Sequence, residues 1–181
     1  MKEHWLNHEV AFSGPVFDVD TGEAILDDGL RVRRDVVRHR GSVAVVPVIG
    51  DHVLLIKQFR ISIGRGIIEI PAGRIENGES PEVSARRELK EELGYEAGQL
   101  MKGASYFSSV GFLDEIVHIF LALDLTRTET NREVDEKIQE VKMSLDDVKK
   151  GLIERRFEDS KTIIGLYELM SHYEYAGSKG D

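Results

Sequence analysis

The spacing of apolar residues changes period several times along the chain, and each change predicts an element. Residues 10–40 alternate short apolar and polar groups around Ser13-Gly14-Pro15, Asp20-Thr21-Gly22 and Asp27-Asp28-Gly29, which predicts a hairpin or meander. Residues 43–49 and 52–58 are rich in Val, Ile and Leu and are parted by Gly50-Asp51, the pattern of two core strands joined by a tight turn. Further strands are expected over 67–70, 105–109, 114–125 and 138–143. Ser80-Pro81-Glu82 supplies an N-cap and a proline at the first helical position, and Glu92-Leu93-Gly94 is the matching stop. One helix of about three to four turns lies between them. Residues 145–151 and 161–175 carry helical spacing, the latter with Ile164, Leu166, Tyr167, Leu169 and Met170 on or near one face. This order predicts a β-rich region over 1–40 and a domain over 41–181 with helices on both sides of a mixed sheet.

Composition narrows the partner more than it alters the fold. The chain has 181 residues, enough to bury a core unaided, and no cysteine for disulfides or a thiolate metal site. Lys2, Glu3, His4 and Asn7 interrupt its first residues, so no signal peptide is expected, and no apolar run is long enough to span a bilayer. A cytoplasmic protein without a membrane partner is the expectation. A net charge of -9 repels phosphate backbones and argues against a nucleic-acid partner. A small phosphate substrate then needs divalent cations or a few placed arginines to neutralise it.

The stretch 73–95 meets that need. It reads Gly73-Arg-Ile-Glu-Asn-Gly-Glu79, then seven residues, then Arg87-Glu88-Leu89-Lys90-Glu91-Glu92-Leu93-Gly94-Tyr95. On a helix, Glu88, Glu91 and Glu92 crowd one end of one surface. Like charges at that spacing repel, and a hard divalent cation with oxygen ligands compensates them. Arg87 stands four residues before Glu91, where a charge-assisted bond can hold that carboxylate in orientation. The bland alternative, a solvated charged helix face, is the usual reading of a generic charge run.

The segment resembles the Nudix box, and Gly73, Glu79, Arg87, Glu88, Leu89, Glu91, Glu92, Gly94 and Tyr95 fill every specified position of it. The resemblance implies an α/β (α+β) fold, a Nudix-type α/β/α sandwich with a mixed β-sheet, here with an N-terminal β-rich appendage. It also implies Mg²⁺, or Mn²⁺, held by Glu88, Glu92 and Glu91 with the backbone carbonyl of Ala72, while Glu79 supports the loop through Arg87 or nearby groups. The words His39-Arg40-Gly41-Ser42, Lys57-Gln58-Phe59-Arg60, Glu69-Ile70-Pro71-Ala72, Gly111-Phe112-Leu113-Asp114-Glu115 and Ser160-Lys161-Thr162-Ile163 are similar to those of the ADP-ribose and nucleoside diphosphate sugar pyrophosphatases.

By that similarity Arg60 contacts phosphates or the terminal ribose, Glu69 and Glu115 take sugar hydroxyls, and Phe17 is a candidate adenine-stacking ring in a homodimer built by the β-rich region. Relatives selective for ADP-ribose carry a proline where this chain has Val110, so a wider range that includes GDP-mannose is expected. A glutamate of the later loop activates water in relatives; the matching position here is Val134, which leaves Glu133, Asp135, Glu136 and Glu140 as candidates for that base, Glu136 and Glu140 foremost. The competing expectations are a non-catalytic nucleotide-sugar sensor and a hydrolase of nucleoside triphosphates or dinucleoside polyphosphates.

Overall fold

The computed structural model describes residues 2–130 and 137–177. The chain forms two compact units, Met1–Gly41 with Phe107–Ile116, and Ser42–Tyr106 with Val117–Asp181.

The first unit is a three-stranded antiparallel sheet of β1 (Glu3–Ser13), β2 (Asp18–Leu26) and β3 (Arg31–Arg38), in that order. The expected turn at Asp27-Asp28-Gly29 is present, with Gly29 at φ 86° and its N–H donated to Leu26 O at 2.9 Å. The expected turn at Asp20-Thr21-Gly22 is absent, because those residues lie inside β2. Gly22 serves close approach instead: a Cβ there would stand 2.2 Å from Asn7 O on β1. β1 begins before the alternating text does, since almost all of its residues are exposed and no buried face imposes a pattern. Residues of the 107–116 segment join this unit through Val37, whose N–H donates to Phe112 O at 2.7 Å and whose carbonyl accepts from Asp114 N at 3.2 Å.

The second unit is built on a seven-stranded mixed sheet. Its strands are β4 (Ser42–Ile49), β5 (His52–Arg60), β6 (Arg65–Glu69), β7 (Ala72–Arg74), β8 (Tyr95–Phe107), β9 (Ile116–Arg127) and β10 (Ile138–Ser144). The order is β10-β5-β4-β9-β8, with β6 on β5 and β7 on β4. β4 runs parallel to β9 and antiparallel to β5 and β7. It is buried on both faces, which explains its unbroken apolar text. Val43 and Val45 point to the side of Ala85, Leu89 and Leu93, the residues of α1 (Pro81–Glu88) and the π-helical turn Leu89–Leu93 that continues it. Ala44 and Val46 point to the side of α2 (Leu145–Ile153) and α3 (Ser160–Gly177), where Val148, Leu152, Leu166 and Leu169 close the second core. The sheet therefore lies between helices.

The helix 80–94 has its expected ends. Ser80 Oγ accepts from Val83 N at 3.3 Å, Pro81 opens the first turn, and Gly94 closes it at φ 70°. Its last turn is π-helical rather than α-helical, which the apolar spacing does not reveal. β8 starts at Tyr95, well before the expected 105; Gly98, Gly103 and the largely half-exposed residues around them keep the intervening text from showing a regular alternation. Among the described residues no helix is long and apolar enough to cross a membrane.

Candidate active site

The box folds as a strand, a loop and a helix that return to each other. β7 carries Gly73 beside β4, and the helix brings Glu88 back against it: a Cβ on Gly73 would lie 1.9 Å from Glu88 Oε1. Only glycine leaves room there for the carboxylate. Glu92 reaches the same strand, accepting the Ala72 N–H at 3.0 Å. Both carboxylates are buried, at 8% and 2% exposure, in the company of Leu89 and Leu93. Buried carboxylates of this kind need compensation by hydrogen bonds or cations.

Arg87 supplies part of it, with every guanidinium donor engaged. Nε and Nη2 grip Glu79 at 3.0 Å each, Nη2 also donates to Arg74 O at 3.0 Å, and Nη1 donates to Glu88 Oε1 at 2.7 Å and Glu91 Oε2 at 2.9 Å. The fork is a planar, pre-organised donor set that a lysine cannot reproduce. Glu79 also accepts from Ser84 Oγ at 2.6 Å. The Arg87 bonds first, and the Ser84 bond second, pull its carboxyl down to about 2. The bonds to Glu79, Glu88 and Glu91 raise Arg87 above its usual value against the opposing effect of burial.

Among the described residues no three acidic or imidazole side chains are already gathered into a closed metal cage. The donor set nevertheless fits a small hard cation. Glu88 and Glu92 bring their carboxylates from the helix against neighbouring residues of β7, Gly73 and Ala72, Glu91 is partly exposed, and Mg²⁺ commonly takes one or two carboxylates and keeps several waters.

A second cluster of the same unit gathers Arg60, Glu69 and Lys161. Glu69 is 1% exposed and holds Arg60 by two bonds, Nε to Oε1 at 2.6 Å and Nη2 to Oε2 at 2.9 Å. Lys161 pairs with Glu69 from the start of α3 and stands 3.0 Å from Asp159. Burial alone pushes the Glu69 carboxyl up, but the bonds from Arg60 and the charge of Lys161 outweigh it and hold the group below the usual range. These residues line a cleft of about 590 Å³ together with Ser62, Arg65 and Glu158. The charge of Glu92 is among those that raise Arg60, so the cleft and the carboxylate helix are electrostatic neighbours. Lys161 was visible in the sequence only as part of a similar word; its contact with Glu69 spans 92 positions, and no local period reports it.

Phe17 and Glu115 belong to the first unit. Phe17 is 41% exposed, its ring 5.6 Å from that of Phe12, beside a cavity of about 180 Å³ lined also by Arg38, His39 and Arg40. Glu115 Oε1 is 3.6 Å from His39 Nδ1. Val110 is exposed at 77% on the turn closed by Ser109 O. Glu140 pairs in register with Ile56 and so stands, exposed, on the helix α1 side of the sheet. Glu133, Val134, Asp135 and Glu136 lie outside the described residues.

The family model of the NUDIX domain matches residues 38–164. The chain is similar to an ADP-ribose pyrophosphatase of Bacillus subtilis (strain 168), 40% identical over 172 residues and 93% of each chain. It is also similar to a methanol dehydrogenase activator of Bacillus methanolicus, 36% identical over 171 residues, 93% of this chain and 92% of the other. Among solved structures, an ADP compounds hydrolase matches with a TM-score of 0.83 at 25% identity, over 99% of this chain and 97% of that one. With an intact box folded as strand, loop and helix inside a matched region that covers most of its length, the chain belongs to the Nudix family.

Proposed function

We propose that the protein is a divalent-metal-dependent pyrophosphatase of nucleoside diphosphate sugars, with ADP-ribose and GDP-mannose within its range. The observation that carries this reading is the pair of buried helix carboxylates, Glu88 and Glu92, held against Gly73 and Ala72 of β7, with Arg87 bonded to Glu79, Glu88 and Glu91. The similarity to an ADP-ribose pyrophosphatase over most of both chains supports the substrate class. Glu88, Glu92 and Glu91, with the Ala72 carbonyl, would hold Mg²⁺ or Mn²⁺. Bound there, such an ion shields the diphosphate charge and lowers the pKa of water at neutral pH.

The chain's own residues do the rest. Arg87 fixes the direction of the Glu88 and Glu91 carboxylates. Arg60, held by Glu69 at the edge of the cleft, offers its remaining donors to phosphate oxygens. Glu69, buried and bonded to both Arg60 and Lys161, acts by holding Arg60; by the similarity to the pyrophosphatases, Glu115 would accept sugar hydroxyls and Phe17 would stack on the base. Glu136 or Glu140 takes a proton from water as its oxygen attacks one phosphorus. The bond from that phosphorus to the bridging oxygen breaks, and the bridging oxygen leaves with the other phosphate. The products are a nucleoside monophosphate and a sugar phosphate. The protein works in the cytoplasm as a homodimer built by the region 1–40.

The test is a screen of ADP-ribose, GDP-mannose, UDP-glucose, NADH, diadenosine polyphosphates and nucleoside triphosphates in saturating Mg²⁺, with the phosphate products identified. Turnover of the diphosphate sugars to monophosphate and sugar phosphate is expected. Turnover confined to triphosphates would reject the substrate class, and binding of a nucleotide sugar without turnover would make the protein a sensor.

A further inference from the structure

Thr162 is completely buried on the first turn of α3, a polar side chain in a core of Leu166, Leu169 and Ile70. Its hydroxyl donates to Asp159 Oδ2 at 2.6 Å, and the same oxygen accepts Thr162 N at 2.9 Å. The hydroxyl proton is thereby committed, and a lone pair accepts the Ile70 N–H at 2.9 Å. Ile70 lies between β6 and β7, in a joint that no regular ladder covers. The neighbouring groups of the joint are held too. Pro71 O accepts from Val45 N at 2.8 Å, and Ala72 N donates to Glu92 Oε2 at 3.0 Å. One residue before the joint, Glu69 pairs with Lys161. Two consecutive residues of α3 thus grip two consecutive residues of the strand segment that leads into Gly73.

We propose that Thr162 is a positioning residue for the metal-binding carboxylates: through the Ile70 amide it fixes the joint whose Ala72 amide orients Glu92. This rests on Glu92 being a metal ligand, as in the function proposed above. A polar atom is retained in this core because the Ile70 N–H, sealed from water, needs an acceptor. Its removal lets the joint shift and turns the Ala72 N–H away from Glu92. Hydrogen-bonded groups behind a metal ligand act on affinity by on the order of tenfold to a hundredfold.

The experiment is a Mn²⁺ titration followed by electron paramagnetic resonance, without substrate, on the wild-type protein, Thr162→Val and Thr162→Ser. Thr162→Val keeps the volume and removes both side-chain bonds, and it is expected to bind Mn²⁺ on the order of tenfold more weakly. Thr162→Ser restores the hydroxyl and is expected to fall within about threefold of wild type on the same scale. Thr162→Val that melts earlier but binds Mn²⁺ like wild type overturns the proposal, since a purely structural threonine gives that result. Should Thr162→Val not fold, Asp159→Asn carries the test by weakening the acceptor that sets the hydroxyl's direction; unchanged Mn²⁺ affinity there overturns the proposal as well. Wild type that binds no Mn²⁺ overturns it outright. Wild type that binds Mn²⁺ yet hydrolyses no nucleoside diphosphate sugar rejects the substrate class alone and leaves the titration to decide the role of Thr162.

Discussion

Two carboxylates of the box answer to different physics. Glu92 is buried at 2% exposure and accepts the Ala72 N–H, and in the function proposed above its negative charge would meet a cation. Glu92→Gln keeps shape and one acceptor while removing the charge. It is expected to lose on the order of a hundredfold in kcat at saturating Mg²⁺ with little change in melting temperature; full activity would reject Glu92 as a ligand. Glu79 is held at about 2 by Arg87 and then Ser84, below its ordinary 4.5. A carboxyl that titrates lower in the folded chain contributes stability that is complete above the unfolded value and is lost as pH falls through the folded one. The difference in melting temperature between wild type and Glu79→Gln should therefore be constant above about pH 4.5 and shrink toward pH 2. A difference that grows on acidification would contradict the Arg87 assignment.

At the scale of the element, the helix that carries the box owes its ends to the sequence and its last turn to packing. Leu89 and Leu93 are fully buried beneath the sheet, and the π-helical turn lets both stay in the core while Glu92 reaches Ala72; π turns inside α-helices often mark functional sites. Gly94 closes the turn at φ 70°, and a Cβ there would meet Thr130 Cγ2 at 2.7 Å. Gly94→Ala is expected to lower the unfolding free energy by about 1–2 kcal/mol from backbone strain, with more from the contact. Urea denaturation at unchanged m checks it. An Ala variant as stable as wild type would show that the left-handed cap contributes nothing.

For the whole molecule, the edge of the first sheet sets the expectation. β1 is eleven residues long, pairs with β2 on one side, and exposes Leu6, Val10 and Phe12 at 43%, 59% and 51%. A long apolar edge strand is a template for pairing with another chain. The proposed homodimer predicts twice the 20.4 kDa chain mass by light scattering, and Val10→Asp should shift it toward monomer. A monomeric wild type would refute the dimer and with it any role of a partner's Phe17.

Ser80-Pro81 and Gly94 placed the helix and its caps, and the spacing of Glu88, Glu91 and Glu92 placed its acidic face, because capping and the helical period act within one turn and are written locally. The same holds for β4 and β5, whose apolar runs report burial on both faces. The pairing of Glu69 with Lys161 and of Ile70 with Thr162 joins positions 92 apart. Nothing in the period of either segment requires the other. The first sheet lacked a legible β1 because an exposed edge imposes no alternation, and Asp20-Thr21-Gly22 read as a turn because a glycine chosen for close approach looks the same in sequence as one chosen for a bend. The sequence alone determined the helix that carries the carboxylates and the family whose box it fills. Which side chains from distant segments hold that helix to β7, and which line the cleft beside it, was decided only when tertiary packing brought them together.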